Sequence, residues 1–178
     1  KLVKYLYVLS IRYNVICHNS PQEQEGAYNQ IAINIFAEEH TRASHVKNSE
    51  LFRKLYPDDE TFMNAVEFHK MPSRQSSKKI RFLLAEIETT LGKPTDYIMA
   101  KLEHVCPYNP DQEWVAHFGD GAYEVRDRLG NVVLLDHDPL KRASFEVKKA
   151  TYLQSGYRLA QRVGEYDGWN LGNLNSYQ

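Results

Sequence analysis

The chain has 178 residues, of which 42% are hydrophobic and 25% charged, proportions that are typical of a soluble globular protein. Its formal net charge is −1, which excludes a protein whose overall positive field attracts nucleic acid, so any DNA-binding surface has to be local. The 2 cysteines exclude a four-cysteine zinc site, and the lack of an apolar run of about 18 residues argues against a membrane span.

The first half of the chain shows the spacing of apolar residues that is typical of amphipathic helices. The predicted helices cover residues 1–18, 21–40, 48–56, 58–69 and 76–91, and the polar segments 40–49 and 70–77 are expected to be loops. The apolar stripe of the second helix includes Ile31, Ile35 and Phe36. Gly92 is expected to end the last of these helices. We place a subdomain boundary at Gly92–Thr95, and the alternative is that this segment is only an interior turn.

The second half is predicted to contain short strands between helices. The predicted elements are a strand over 97–106, a short helix capped by Asp111, a strand over 131–135, and helices that start at Asp138-Pro139 and cover 145–153 and 157–166. Trp169 is expected to anchor the C-terminal tail to the core. The fold class is therefore predicted as α+β and mainly α, with a helical subdomain over 1–94 followed by a domain over 95–178. Two or three short strands are expected, all of them after residue 95.

The segment that carries chemistry starts with Glu103-His104, near the end of the first predicted strand. An imidazole titrates near neutral pH, so His104 is a candidate general base. A carboxylate suits Mg²⁺ or Mn²⁺, so Glu103 is a candidate metal ligand. Because neighbouring strand residues point to opposite faces, both reach one site only where the strand ends, twists or bulges, and Pro107 favours an end there. The alternative is a His104 that is hydrogen-bonded in the core beside a solvated Glu103.

Two further segments complete the candidate site. Asn131 enters the second predicted strand, where an asparagine would orient the histidine or hold the loop, although Gly-Asn at this position is also ordinary turn chemistry. The basic side chains that follow are expected to contact DNA phosphates, with a solvated helix face as the alternative: Lys141, Arg142, Lys148 and Lys149. An acid and a histidine on one strand, an asparagine at the next strand and a basic helix are the parts of a one-metal ββα nuclease site, in that order.

Taken together, these motifs resemble those of a known family. The residues concerned are Leu102-Glu103-His104-Val105-Cys106-Pro107, Trp114, Leu129-Gly130-Asn131-Val132-Val133-Leu134-Leu135, Phe145-Glu146-Val147-Lys148-Lys149, Tyr152 and Ser155. They resemble the DUF1524 family, the HNH-like nuclease domain of GmrSD-type, modification-dependent restriction enzymes. The resemblance implies a ββα-metal, HNH-like nuclease core over 95–178 with flanking helices. It also implies His104 as the general base and Asn131 as the middle residue of the HNH triplet.

The resemblance further implies cleavage or nicking of DNA, with or without modified bases, in defence against phage, and Mg²⁺ or Mn²⁺ as cofactor. Proteins of this kind typically carry an N-terminal DUF262 nucleotidase-like domain. We interpret this chain, which starts with Lys1 in a helical pattern, as a fragment of such a protein. No signal peptide is visible, so a cytoplasmic location is expected.

The sequence departs from the family pattern at Leu140, where a polar residue, mostly asparagine, is usual. An apolar side chain cannot bind a metal, so we predict that His137 completes the metal shell, with Asp138 and Asp136 behind it. A metal-dependent endonuclease is the first hypothesis. The alternatives are a catalytically silent HNH-like module for DNA binding or protein interaction, and a helical adaptor in which the Glu-His pair is structural.

Overall fold

The computed structural model describes residues 1–68 and 70–169. The chain packs into two compact units, one over Lys1–Phe68 and a second that begins after Phe68, and each is described by itself. None of the helices in the described ranges has the length and apolar content that crossing a membrane requires.

The first unit is all helical. Its elements are α1 (Leu2–Ser10), which continues as a π-helix over Ile11–Ile16, then α2 (Pro21–Phe36), α3 (Ala43–Asn48), α4 (Glu50–Leu55) and α5 (Asp59–Phe68). The core is formed by buried side chains from all but α5: Leu9, Tyr13, Ile31, Val46, Phe52 and Leu55. The predicted helices are confirmed, but the predicted loop at 40–49 is wrong over α3. One apolar residue, the buried Val46, docks this short helix, and so brief a pattern has no readable period.

The last turn of α2 is also less buried than its apolar stripe predicted, because Ile35 is 39% and Phe36 is 92% exposed. Helix α2 runs antiparallel to α1 and its π-helical continuation. Hydrogen bonds join Tyr13 to Glu23, Ser10 to Gln24, and Tyr28 to the carbonyl of Leu6. Residues toward the end of α2 therefore lie beside residues toward the start of α1. Phe36 extends past the residues of α1 that could cover it.

The second unit joins helices to a small sheet. Its elements are α6 (Ser73–Thr90), β1 (Lys101–His104), α7 (Gln112–Phe118), two short 3-10 turns (Gly119–Tyr123 and Leu129–Asn131), β2 (Val132–Leu135), α8 (Phe145–Leu153) and α9 (Arg158–Glu165). β1 and β2 pair antiparallel, with His104 opposite Val132. These are the named strands of the described residues, so the prediction of a mainly helical α+β fold with two or three short strands after residue 95 is confirmed.

The division between the units differs from the predicted boundary at Gly92–Thr95. Helix α6 packs on both strands of the sheet, and the segment after it lies within the second unit. Gly92 still ends the helix as predicted, with φ of 92°, a left-handed conformation that glycine adopts without strain.

A buried carboxylate joins α6 to α9. Both oxygens of Glu88 accept backbone N–H groups, from Arg158 at 2.8 Å and from Leu159 at 2.7 Å. These are among the N–H groups that the start of a helix leaves without a partner, and the negative charge is favourable at that end. Glu88 therefore caps α9 from another helix, a long-range contact that no local pattern indicates.

Two predicted elements are shorter or later than expected. The strand predicted over 97–106 is limited to β1, because the Asp96 side chain accepts the backbone N–H of Ile98 and holds a turn there. The helix predicted from Asp138-Pro139 is wrong: the chain stays non-helical until Ser144, whose hydroxyl accepts from the N–H of Val147 and caps α8.

Trp169 is 1% exposed and lies against Trp114, Phe145 and Tyr152, with ring centroids 6.0, 4.8 and 5.4 Å away. Its indole N–H donates to the carbonyl of Val163 at 2.8 Å. The predicted anchoring role of Trp169 is confirmed, while the rest of the predicted tail, residues 170–178, lies outside the described residues.

The close contact of α8 and α9 gives a test of the packing. In Gly164→Ala, the new Cβ would lie 2.8 Å from the backbone nitrogen of Leu153 and 3.2 Å from the carbonyl carbon of Tyr152. Backbone cannot swing away as a side chain can, so overpacking of about 1–3 kcal/mol should exceed the roughly 1 kcal/mol that alanine gains over glycine in a helix. We expect a lower free energy of unfolding in urea, measured by circular dichroism. Gly168→Ala is the control, because its Cβ would meet nothing within 4 Å.

Candidate functional site

His104 is the last residue of β1 and lines a surface depression of about 510 Å³. The other lining residues come from the end of β1, the turn after it, the loop before α8 and α8 itself: Leu102, Glu103, Pro107, Tyr108, Asn109, Pro139, Lys141, Arg142 and Lys148. The sequence had predicted four of these for the site: Glu103, Lys141, Arg142 and Lys148. The depression therefore brings a histidine and two exposed cations to one place on the surface.

The imidazole of His104 is neutral at neutral pH. Burial is the main cause that lowers its pKa; Glu103 opposes this shift, and Lys148 adds to it. Its Nε2 atom is buried without a hydrogen-bond partner among the described residues, so protonation there would bury an N–H that has no acceptor. A neutral imidazole can accept a proton, which is what a general base has to do.

The neighbouring Glu103 is held by other groups of the protein. It is 2% exposed, and its Oε1 lies 2.6 Å from the Nζ of Lys148, which is 1% exposed. The same oxygen accepts from the hydroxyl of Tyr152 at 3.4 Å, and Oε2 accepts from the backbone N–H of Leu140 at 2.8 Å. Both oxygens are therefore engaged within the protein, and neither a solvated Glu103 nor an uncommitted metal ligand is found.

Lys148 is equally committed. Besides the ion pair, its ammonium donates to the backbone carbonyls of His104 at 2.6 Å and Val105 at 3.3 Å. Burial lowers the pKa of Lys148, while Glu103 opposes that shift. The prediction that this lysine lies on an exposed DNA-binding face is wrong, because its ammonium lies inside the protein and holds the end of β1.

One face of α8 carries this network. Phe145, Lys148 and Tyr152 are all buried, and their spacing of three and four residues places them on the same side of the helix. Neither the contact of Tyr152 with Glu103 nor the structural role of Lys148 was predicted from the sequence. The signal was a lysine at an apolar-stripe position, flanked by two aromatics at helical spacing.

Asn131 is fully buried and holds the turn that follows His104. Its Oδ1 accepts the backbone N–H of Cys106 at 2.7 Å, and its Nδ2 donates to the carbonyl of Cys106 at 3.0 Å. The backbone carbonyl of Asn131 also accepts from Val105 at 2.8 Å. Of the two roles considered for this asparagine, these contacts correspond to holding the loop.

The predicted metal ligands are not assembled. His137 is exposed, its Nδ1 lies 3.0 Å from the carbonyl oxygen of Asp138, and it lines a second depression with Asp136 and residues of α8. Among the described residues, no group of three His, Cys, Asp or Glu side chains is placed to hold an ion. Together with the occupied oxygens of Glu103, this means that the set Glu103, His137 and Asp138 does not fit a divalent metal in this arrangement.

The predicted basic helix is replaced by a basic loop. Lys141 and Arg142 lie in a turn, exposed, on the rim of the depression that holds His104. Lys149 is only partly exposed, and its Nζ donates to the carbonyl of Asp167 at 3.1 Å. Of the four predicted DNA-binding cations, Lys141 and Arg142 are the two that present charge beside the histidine.

The chain is similar to a known protein family. A family model described as GmrSD restriction endonucleases, C-terminal domain, matches residues 56–178. No curated protein matches the chain. The resemblance seen in the sequence is thus confirmed at the level of the family.

The ion pair of Glu103 and Lys148 can be tested by breaking it. Glu103→Gln removes one charge and leaves the buried ammonium of Lys148 uncompensated, which typically costs about 3–5 kcal/mol. We expect a loss of that order in the free energy of unfolding, measured by urea titration.

Two further variants complete the cycle. Lys148→Met alone should also destabilise, and the double variant should lose clearly less than the sum of the two single losses, because no unpaired charge is then buried. If the loss of unfolding free energy in the double variant equals the sum of the two single losses, the two side chains are not energetically coupled.

Proposed function

We propose that this chain, which belongs to the family of GmrSD restriction endonuclease C-terminal domains, cleaves DNA phosphodiester bonds with His104 as the general base. The family supports a restriction-endonuclease type of domain with DNA as substrate. The observation that supports the specific assignment is the neutral, half-buried imidazole of His104, at a strand end beside two exposed cations.

The chemistry required of His104 is limited and matches its surroundings. The imidazole takes a proton from a water molecule as the water oxygen forms a bond to phosphorus. The bond from phosphorus to the leaving oxygen breaks, and that oxygen takes up a proton from solvent. Lys141 and Arg142 would bind the phosphate oxygens, whose negative charge grows during this step.

The metal requirement is a separate part of the proposal. Mg²⁺ or Mn²⁺ is expected from the resemblance to HNH-like nucleases, but the residues predicted to bind it do not fit in this arrangement. An N-terminal DUF262-like companion domain, and a preference for modified bases, are proposed on the resemblance alone.

A second candidate function is supported by one specific observation. Leu140 stands where the family pattern has a polar residue, and it contributes a backbone N–H, not a side-chain ligand, to Glu103. A chain that keeps the fold but lacks the ligands would bind DNA or a protein without cutting. Cleavage assays distinguish this silent module from the nuclease.

The general-base assignment predicts that His104→Ala lowers the rate of plasmid nicking by about 10²–10⁴-fold, the usual contribution of a positioned base. The rate should be measured with Mg²⁺, with Mn²⁺ and with EDTA, so that the metal requirement is determined in the same experiment. His137→Ala is the matched control, because His137 lines the second depression, beside Asp136, and not the depression that holds His104.

The pH dependence of the wild type gives a second readout. The folded-state pKa of His104 is lowered, so the active neutral form persists somewhat below the ordinary histidine pKa of 6.5 and is lost as the pH falls through the lowered value.

Nicking by His104→Ala at the wild-type rate would refute the assignment. DNA binding without cleavage by the wild type under all ion conditions would favour the silent module.

The basic loop predicts the salt dependence of DNA binding. Each phosphate contact contributes about 0.9 to the slope of log affinity against log salt for duplex DNA, so removal of two contacts should reduce the slope by about 2. We expect this for Lys141→Glu/Arg142→Glu, measured by fluorescence anisotropy over a salt series. Lys78→Glu/Lys79→Glu is the control, because both lysines are exposed on α6, outside the depression. An unchanged slope in the loop variant would place the DNA elsewhere.

A further inference from the structure

A group of two tyrosines and an arginine lies beside His104 and has no role in the proposed reaction. Tyr108 is 40% and Tyr123 is 55% exposed, although large aromatic side chains usually bury most of their surface. The guanidinium of Arg126 lies over both rings, 5.2 Å from the centroid of Tyr108 and 4.7 Å from that of Tyr123. We call these three residues the tyrosine–arginine group.

The group is continuous with the candidate site. The ring of Tyr108 meets the ring of His104 edge to face, with centroids 6.2 Å apart and an interplanar angle of 80°. Tyr108 and Asn109 also line the depression that carries Lys141 and Arg142 on its rim. A strand whose phosphate is held next to His104 would therefore bring the adjoining nucleotide to Tyr108.

Arg126 prepares the rings for a ligand. Its cation covers part of each ring, which limits the movement of two side chains that are otherwise largely in solvent. The Nε atom of Arg126 is buried without a hydrogen-bond partner among the described residues. Among the described residues, no salt bridge joins this arginine to a carboxylate. Its positive charge therefore adds to the positive electrostatic potential of the basic loop.

We propose that the tyrosine–arginine group is a stacking site for a nucleobase next to the scissile phosphate, one that is unpaired or displaced from its duplex. This inference rests on the proposed function, because it requires the phosphate at His104. Aromatic rings with an adjacent arginine are the recurring platform for single-stranded nucleic acid, and stacking tolerates any base because every base has a π face. The site is consequently specific for an accessible base and not for a sequence.

The test is the affinity of the full chain for labelled single-stranded DNA, measured by fluorescence anisotropy in EDTA at fixed salt, with the integrity of the DNA checked on a gel. Tyr108→Ala should weaken binding by about 5- to 150-fold, the range that corresponds to loss of about 1–3 kcal/mol of stacking. Tyr108→Phe keeps the ring and should bind as the wild type does. Tyr97→Ala is the matched control, since Tyr97 is 37% exposed in the same unit and packs edge-on against Phe82.

A second set of oligonucleotides separates stacking from an effect on folding. When an abasic site is scanned along the strand, wild-type affinity should fall at the position that stacks, and Tyr108→Ala should lose little more there. Wild-type affinity in Tyr108→Ala, or an equal loss with and without the base, would overturn the stacking site while leaving the proposed nuclease in place. Failure of the wild type to bind any of these single strands would likewise overturn the stacking site, whereas the proposed function is overturned by the nicking assay on plasmid DNA.

Discussion

The ion pair between Glu103 and Lys148 is the interaction on which the candidate site depends. Two opposite charges, each almost without contact to solvent, are tolerated because the ammonium donates to three oxygens and both carboxylate oxygens accept hydrogen bonds. The ammonium also holds the carbonyl of His104, and the carboxylate also holds the N–H of Leu140. The pair thereby fixes the end of β1 and the start of the loop that carries Lys141 and Arg142.

The ion pair with Lys148 limits what Glu103, the acid next to His104, can bind. A carboxylate that is already balanced by a buried ammonium has no net charge to offer a divalent ion, and displacing the lysine would leave its charge unpaired. The pair also acts on His104 in opposite directions, because Glu103 favours the imidazolium and Lys148 opposes it. Burial is the largest of these causes, so the net effect is a lowered pKa, which favours the neutral imidazole.

Recognition of DNA in this proposal is divided between two groups of residues near His104. The cations of the basic loop supply attraction that depends on salt, which a chain with a net charge of −1 can only provide locally. The tyrosine–arginine group, on the side of His104, supplies stacking that depends on an accessible base and much less on salt. The imidazole lines the same depression as Lys141 and Arg142, and its ring contacts that of Tyr108.

What the sequence by itself determined was the class of fold, the family, and four of the residues that line the depression with His104. Helical periodicity, the glycine at the end of α6 and the capping residue Asp111 depend on residues that are close together in the chain. They can therefore be predicted directly from the sequence. The tertiary structure decided the partners. Residues 103 and 148 are far apart along the chain, and nothing in their spacing shows that they form a buried pair. Glu88 likewise caps a helix that begins some seventy residues later. Charged side chains read as surface in a sequence because water solvates them by default, and only the folded chain shows which of them water cannot reach.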